Sequence, residues 1–186
     1  LHTSGGLQKA DTDFAERLAE EGYVALVPAF LDARGIRAST RTAAFTSDAG
    51  AIYADLVTAL DMLGETNQVG GRKLAAIGFS NGGYFAAWLA ASGKVAAGIS
   101  YYGALTGAGT DRSLERFRHA FTSSSAPLLI LHGMQDQTVP VAAAQRLGGI
   151  LAAAGSPYQL HLYPGAGHRF ERDTSSAANQ IGRAHV

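Results

Sequence analysis

Residues able to do chemistry fall where apolar runs end. The first is Ser80, in the stretch Gly78-Phe79-Ser80-Asn81-Gly82-Gly83. It separates a strand-like run, Leu74 to Phe79, from a helix-like run, Tyr84 to Ala91. The pattern Gly78-x-Ser80-x-Gly82 therefore has the strand–turn–helix context that a nucleophile elbow requires. A sharp turn there imposes strained backbone angles on the serine, and the two glycines let neighbouring backbone approach. The hydroxyl is then presented at a helix N-terminus, where free N–H groups favour a developing anion. The competing reading is a glycine-rich turn in which Ser80 is an ordinary helix N-cap.

A serine hydroxyl is barely nucleophilic at neutral pH, so it needs a base, and the base needs an orienting acid. Asp136 follows the apolar run Leu128 to His132 and precedes Thr138-Val139-Pro140. Asp111, in the loop after the preceding strand, competes for the acid role, as does a plain loop or N-cap function for Asp136 itself. Among later histidines, His161 alternates within Tyr158 to Tyr163 and reads as a sheet-face residue. His168, in Pro164-Gly165-Ala166-Gly167-His168, sits in a turn just after that run and is the better base. The order Ser80, Asp136, His168, with all three at strand ends, is the order found in α/β-hydrolases. Two backbone N–H donors must hold a tetrahedral oxyanion. Asn81 supplies one, and the opening turn supplies the other through Thr3, or through Ser4 as second choice. Tyr102, at another strand end, is a candidate wall of the substrate pocket, with a buried core role as the alternative. His132 reads as a loop-ordering residue. Arg34 and Arg37 read as a solvated loop face, with capture of a substrate carboxylate as the lesser possibility.

The elements that must position these groups alternate. Helical spacing predicts helices over Asp11 to Glu21, Asp48 to Leu63, Tyr84 to Ala91 and Val141 to Ala154. Continuous apolar runs predict strands at Tyr23 to Val27, Leu74 to Phe79, Val95 to Tyr102, Leu128 to His132 and Tyr158 to Tyr163. Asp32 to Ser47 and Gly107 to Ser113 read as polar loops. Buried strands alternating with helices imply parallel βαβ units, hence an α/β fold with a mostly parallel, doubly wound sheet and helices on both faces. In such sheets ligands bind beyond the carboxyl ends of the strands, where all the candidates lie.

The 186 residues, 47% hydrophobic and 16% charged, suit one globular domain. Fifteen basic residues balance fifteen acidic ones, so no nucleic-acid or membrane surface is expected. The absence of cysteine excludes disulfides and thiolate chemistry. A soluble protein, cytoplasmic by default, is expected. The first residues, Leu1-His2-Thr3-Ser4-Gly5-Gly6, read as the end of a strand entering a glycine turn, so N-terminal strands are expected to be missing from a single domain over residues 1–180. The final six residues, Ile181 to Val186, match the translation of a common sequencing-adapter stretch and are expected to be read-through.

Four stretches, "RLAEEGYVALVP", "GFSNGGYFAAWLA", "LLILHGMQDQTVPV" and "YPGAGHRF", resemble the dienelactone hydrolase family of the α/β-hydrolase superfamily. The resemblance spans Leu1 to about Arg172. It implies hydrolysis of small-molecule esters or lactones, with no metal or organic cofactor. Two departures accompany it: Ser80 stands where the founding enzymes use cysteine, and Thr3 stands where an acidic residue usually lies beside the oxyanion position. An oligopeptidase-like serine peptidase, which shares "GxSxGG" and "HGxxDxxVP" patterns, is a second enzymatic reading. A non-catalytic α/β-hydrolase relative acting as a binding module is a third.

Overall fold

The computed structural model describes residues 1–36, 47–103 and 110–172, residues 110–113 by their backbone alone. Four strands, β1 (Ala75–Phe79), β2 (Ala97–Tyr101), β3 (Leu128–Gly133) and β4 (Tyr158–Tyr163), form one parallel sheet in the order β1-β2-β3-β4. Helices α1 (Lys9–Glu20), α2 (Ala49–Gly64), α3 (Asn81–Ala91), α4 (Thr110–Ala120) and α5 (Val141–Ala153) complete the fold. The register sets Phe79 beside Tyr101, Tyr101 beside Leu131 and Leu131 beside His161, which aligns the carboxyl ends of the strands along one edge. This is an α/β-hydrolase fold.

Because strand side chains alternate between faces, the sheet separates two cores. Leu128 and Ile130 join Phe85, Leu89, Phe117 and Leu147 in the larger one, under α3, α4 and α5. Phe79, Tyr101, Leu131 and Tyr163 join Phe170 in the smaller one, with Phe14 of α1 packed against it. Helix α3 is buried at every residue except Trp88. Its small residues, Gly82, Gly83, Ala86, Ala87, Ala90 and Ala91, let its axis lie close to the sheet. No described helix is long and apolar enough to cross a membrane.

The structure departs from the sequence expectations at two segments. Tyr23 to Val27 forms no regular element and joins no ladder, and Tyr23, Val24 and Leu26 are 65%, 43% and 47% exposed. An apolar run becomes a buried strand only beside a hydrogen-bonding neighbour. Here, among the described residues, only the first lies along the free edge of β1: the Leu1 amino group donates to Ile77 O at 2.5 Å and Phe79 N donates to Leu1 O at 3.1 Å. A cavity of about 480 Å³, lined by Phe14, Leu18, Val24, Leu26, Leu60 and Ile77, lies between that edge and this segment. The second departure is α4. The expected loop Gly107 to Ser113 overlaps its start at Thr110, and the helix is held by Leu114 and Phe117, both buried in the larger core, with Phe121 following just beyond its end. Residues 104–109 lie outside the described residues, as do 37–46, which hold Arg37.

Candidate active site

The turn after β1 is built as the glycines require. A Cβ on Gly78 would meet the backbone of Gly82, and a Cβ on Gly82 would meet the backbone carbonyl of Leu1. Gly82 N donates to His2 O at 3.1 Å, which ties the turn to the opening segment. Between the glycines Ser80 holds φ 54° and ψ −111°, outside the regions a non-glycine residue ordinarily adopts. It occupies the N-cap position of α3, yet its side chain makes no capping bond. The helix therefore starts at Asn81, three residues before its apolar run, and the plain N-cap reading of Ser80 loses its hydrogen bond. Replacing Gly82 by Ala should cost about 3 kcal/mol or more, because the clash is with backbone and cannot be relieved by a rotamer change. Urea denaturation of the variant would measure it.

Asp136 lies in the loop after β3 and His168 in the loop after β4. Backbone bonds bring the loops together: Met134 N donates to Tyr163 O at 3.0 Å and Gln135 N to Ala166 O at 2.9 Å. The Asp136 carboxylate is fully buried and receives three donors. Thr138 N and Val139 N donate to Oδ1 at 2.8 Å each, and His168 Nδ1 donates to Oδ2 at 2.7 Å. His168 is 15% exposed, and its Nε2 has no partner among the described residues. The competing histidine does not occupy this position. The side chain of Asp111 lies outside the described residues, and His161, on β4, contacts Gln159 Oε1 at 3.3 Å.

At the opening turn, Thr3 Oγ1 accepts from Gly5 N at 3.1 Å and Thr3 O accepts from Gly6 N at 3.3 Å. The amides of Thr3 and Asn81 have no acceptor among the described residues; that of Asn81, the first residue of α3, also carries the positive end of the helix dipole. His2, to which sequence reasoning assigned no role, orders this turn. Its ring stacks on Phe30 at 4.0 Å, and Nδ1 donates to Thr3 O at 2.8 Å. Tyr102 is buried, with its hydroxyl on Glu171 Oε1 at 2.6 Å and its ring centroid 4.5 Å from that of His168. Arg34 is committed to Asp55, with bonds of 2.5 and 2.8 Å. The 480 Å³ cavity is lined by none of Ser80, Asp136 or His168, and so belongs to the sheet edge rather than to this site.

His132 orders its loop as its position suggested, donating from Nε2 to Val139 O at 2.8 Å. Nδ1 is then a buried atom without a partner. Burial pushes the imidazoles of His132 and His2 below their ordinary range, against the opposing pull of the Val139 and Thr3 carbonyls. A base whose folded pKa is depressed stays neutral in the native state while the unfolded chain takes up a proton. Stability should therefore fall as pH drops below about 6.5, by up to about 1.4 kcal/mol per pH unit for each histidine. Urea midpoints between pH 7.5 and 5 would show this, with a shallower slope in His132→Asn.

The family model for the dienelactone hydrolase family matches residues 1–185. The chain belongs to the dienelactone hydrolase family. A Methylorubrum extorquens protein named "Putative carboxymethylenebutenolidase" is 30% identical over 177 residues, covering 90% of this chain and 60% of that protein. An Escherichia coli K12 protein of the same name is 30% identical over 179 residues, covering 90% and 65%. The chain thus spans less than two thirds of the length of these curated relatives. Among solved structures, a Klebsiella pneumoniae protein described as a "Putative Dienelactone Hydrolase" superposes with a TM-score of 0.79 at 24% identity, over 99% of this chain and 81% of that one. A dienelactone hydrolase-like promiscuous phosphotriesterase from metagenomic libraries gives 0.72 at 24% identity, over 96% and 73%. At these identities the two structures bear on the fold.

Proposed function

We propose that this chain hydrolyses carboxylic esters or lactones of small molecules through an acyl-enzyme on Ser80. The observation that carries the reading is the 2.7 Å bond from His168 Nδ1 to Asp136 Oδ2. It fixes the imidazole tautomer, so that Nε2 bears the lone pair a general base needs. Membership of a family whose relatives bear the name "Putative carboxymethylenebutenolidase" supports an ester or lactone substrate.

The proposed steps use these groups. Nε2 of His168 removes the Ser80 proton, and Oγ attacks the carbonyl carbon. The oxygen that becomes negative is received by the amides of Asn81 and Thr3. Asp136 stabilises the imidazolium that forms, which then protonates the leaving alkoxide. Water repeats the sequence on the acyl-enzyme and frees the acid. With Thr138 N and Val139 N holding Oδ1, the carboxylate keeps Oδ2 directed at His168 throughout. The same His168–Asp136 bond would serve a serine peptidase, and it is the family membership that favours an ester or lactone over a peptide.

The test is pre-steady-state mixing with p-nitrophenyl acetate. An acyl-enzyme predicts a burst of about one p-nitrophenol per chain, with an acetyl adduct by intact mass. Linear release without an adduct on the folded chain would reject the mechanism. An unsaturated γ-lactone assayed beside the ester would then assign the substrate class.

A further inference from the structure

Among the described residues three non-glycine residues have positive φ: Ser80, Tyr102 (38°) and Arg169 (63°). All belong to turns at the carboxyl edge of the sheet. Ser80 is accounted for by the elbow. The other two flank His168, one against its ring and one next to it in the chain. A bulky residue at positive φ persists only when its surroundings over-determine it. Tyr102 is held at both ends, by its N–H on Leu131 O at 2.7 Å and by its hydroxyl on Glu171 Oε1 at 2.6 Å.

We propose that Glu171 is a positioning residue for the His168 imidazole and acts through Tyr102, an inference that rests on the reading of His168 as the general base. A single hydrogen bond at Nδ1 fixes the place and tautomer of the imidazole but not the plane of its ring. The Tyr102 ring, tilted 58° against it at 4.5 Å, supplies the missing constraint and directs Nε2. Glu171 locks that ring. It lies three residues after His168, in the 3-10 turn Phe170–Arg172, so one short turn carries both the base and the anchor of the ring beside it. The anchor is itself held. Glu171 Oε1 also accepts from Arg172 Nε at 3.1 Å, and Arg172 reaches Gln8 Oε1 at 3.3 Å and Asp11 Oδ1 at 3.4 Å at the start of α1. A packing role alone would be served by an apolar side chain. Instead the site keeps a carboxylate whose Oε2 is buried without a partner, an arrangement that disfavours folding.

The test uses wild type, Tyr102→Phe, Glu171→Gln and Glu171→Leu with p-nitrophenyl butyrate, each rate normalised to active chains by burst amplitude. Tyr102→Phe and Glu171→Leu should lose about tenfold in kcat with KM within about twofold, since a misdirected base harms the chemical step and not binding. Glu171→Gln keeps an oxygen for the Tyr102 hydroxyl and should stay within about threefold of wild type. A merely structural role would lower the active fraction or the Tm and leave kcat per active chain unchanged. The inference is overturned if Tyr102→Phe keeps its kcat, or if Glu171→Gln is as impaired as Glu171→Leu. If Glu171→Leu does not fold, the Tyr102→Phe and Glu171→Gln pair decides. A wild-type turnover that survives Ser80→Ala would defeat the underlying hydrolase reading, and this inference with it.

Discussion

Replacing Ser80 by Ala should lower kcat for ester hydrolysis by about a million-fold, the loss expected when the nucleophile of such a unit is removed. The expectation comes from local geometry. Ser80 is held at φ 54° by a turn that has no space for a Cβ at Gly78 or Gly82, and its hydroxyl contributes no capping bond to α3. Removing the hydroxyl therefore breaks nothing in the fold, and unfolding free energy should change by less than about 0.5 kcal/mol. Loss of activity at constant stability separates a nucleophile from a structural serine. Steady-state kinetics and urea denaturation on the same preparation would measure both.

Asp136→Asn should lower kcat by about ten-thousand-fold, by imposing the wrong tautomer on His168. The environment of the side chain decides this outcome. Thr138 N and Val139 N both donate to Oδ1, so an asparagine must put its carbonyl oxygen there. Its NH2 group is thereby turned towards His168 Nδ1, where Oδ2 now accepts at 2.7 Å. Two donors would face each other unless the imidazole moved its proton to Nε2, and the base would then have no lone pair for Ser80. The loop keeps both backbone bonds, so the variant should fold. Asp111→Asn, tested beside it, should retain activity; a large loss there and a small one at Asp136 would exchange the two acids.

Much of this arrangement is legible in the chain because it depends on local chemistry. The strand–glycine–serine–glycine–helix pattern specifies a turn whose sterics follow from a few residues, and α3 begins immediately after Ser80 as that turn demands. Alternation of apolar runs with helical stripes specifies a parallel sheet, because parallel neighbours need crossovers. The failures share a cause: they depend on partners that periodicity does not encode. Tyr23 to Val27 has a strand's composition, yet a strand is a hydrogen-bonded relation, and β1 offers that segment a cavity instead of a neighbour. Among its described side chains helix α4 buries only Leu114 and Phe117 in an otherwise charged stretch, so its composition resembles a loop. The Tyr102–Glu171 bond joins residues 69 apart in sequence, and His2 acquires its role from Phe30 and the adjacent Thr3 carbonyl. Such contacts exist only once the sheet edge is assembled.

The most direct test of the central claim is a covalent one. The folded chain, checked by circular dichroism, is incubated with a fluorophosphonate probe, weighed intact and mapped by proteolysis. The account predicts one adduct per chain, on the peptide bearing Ser80, and none on the Ser80→Ala variant. An adduct on another residue, or a folded wild-type chain that stays unmodified, would contradict it.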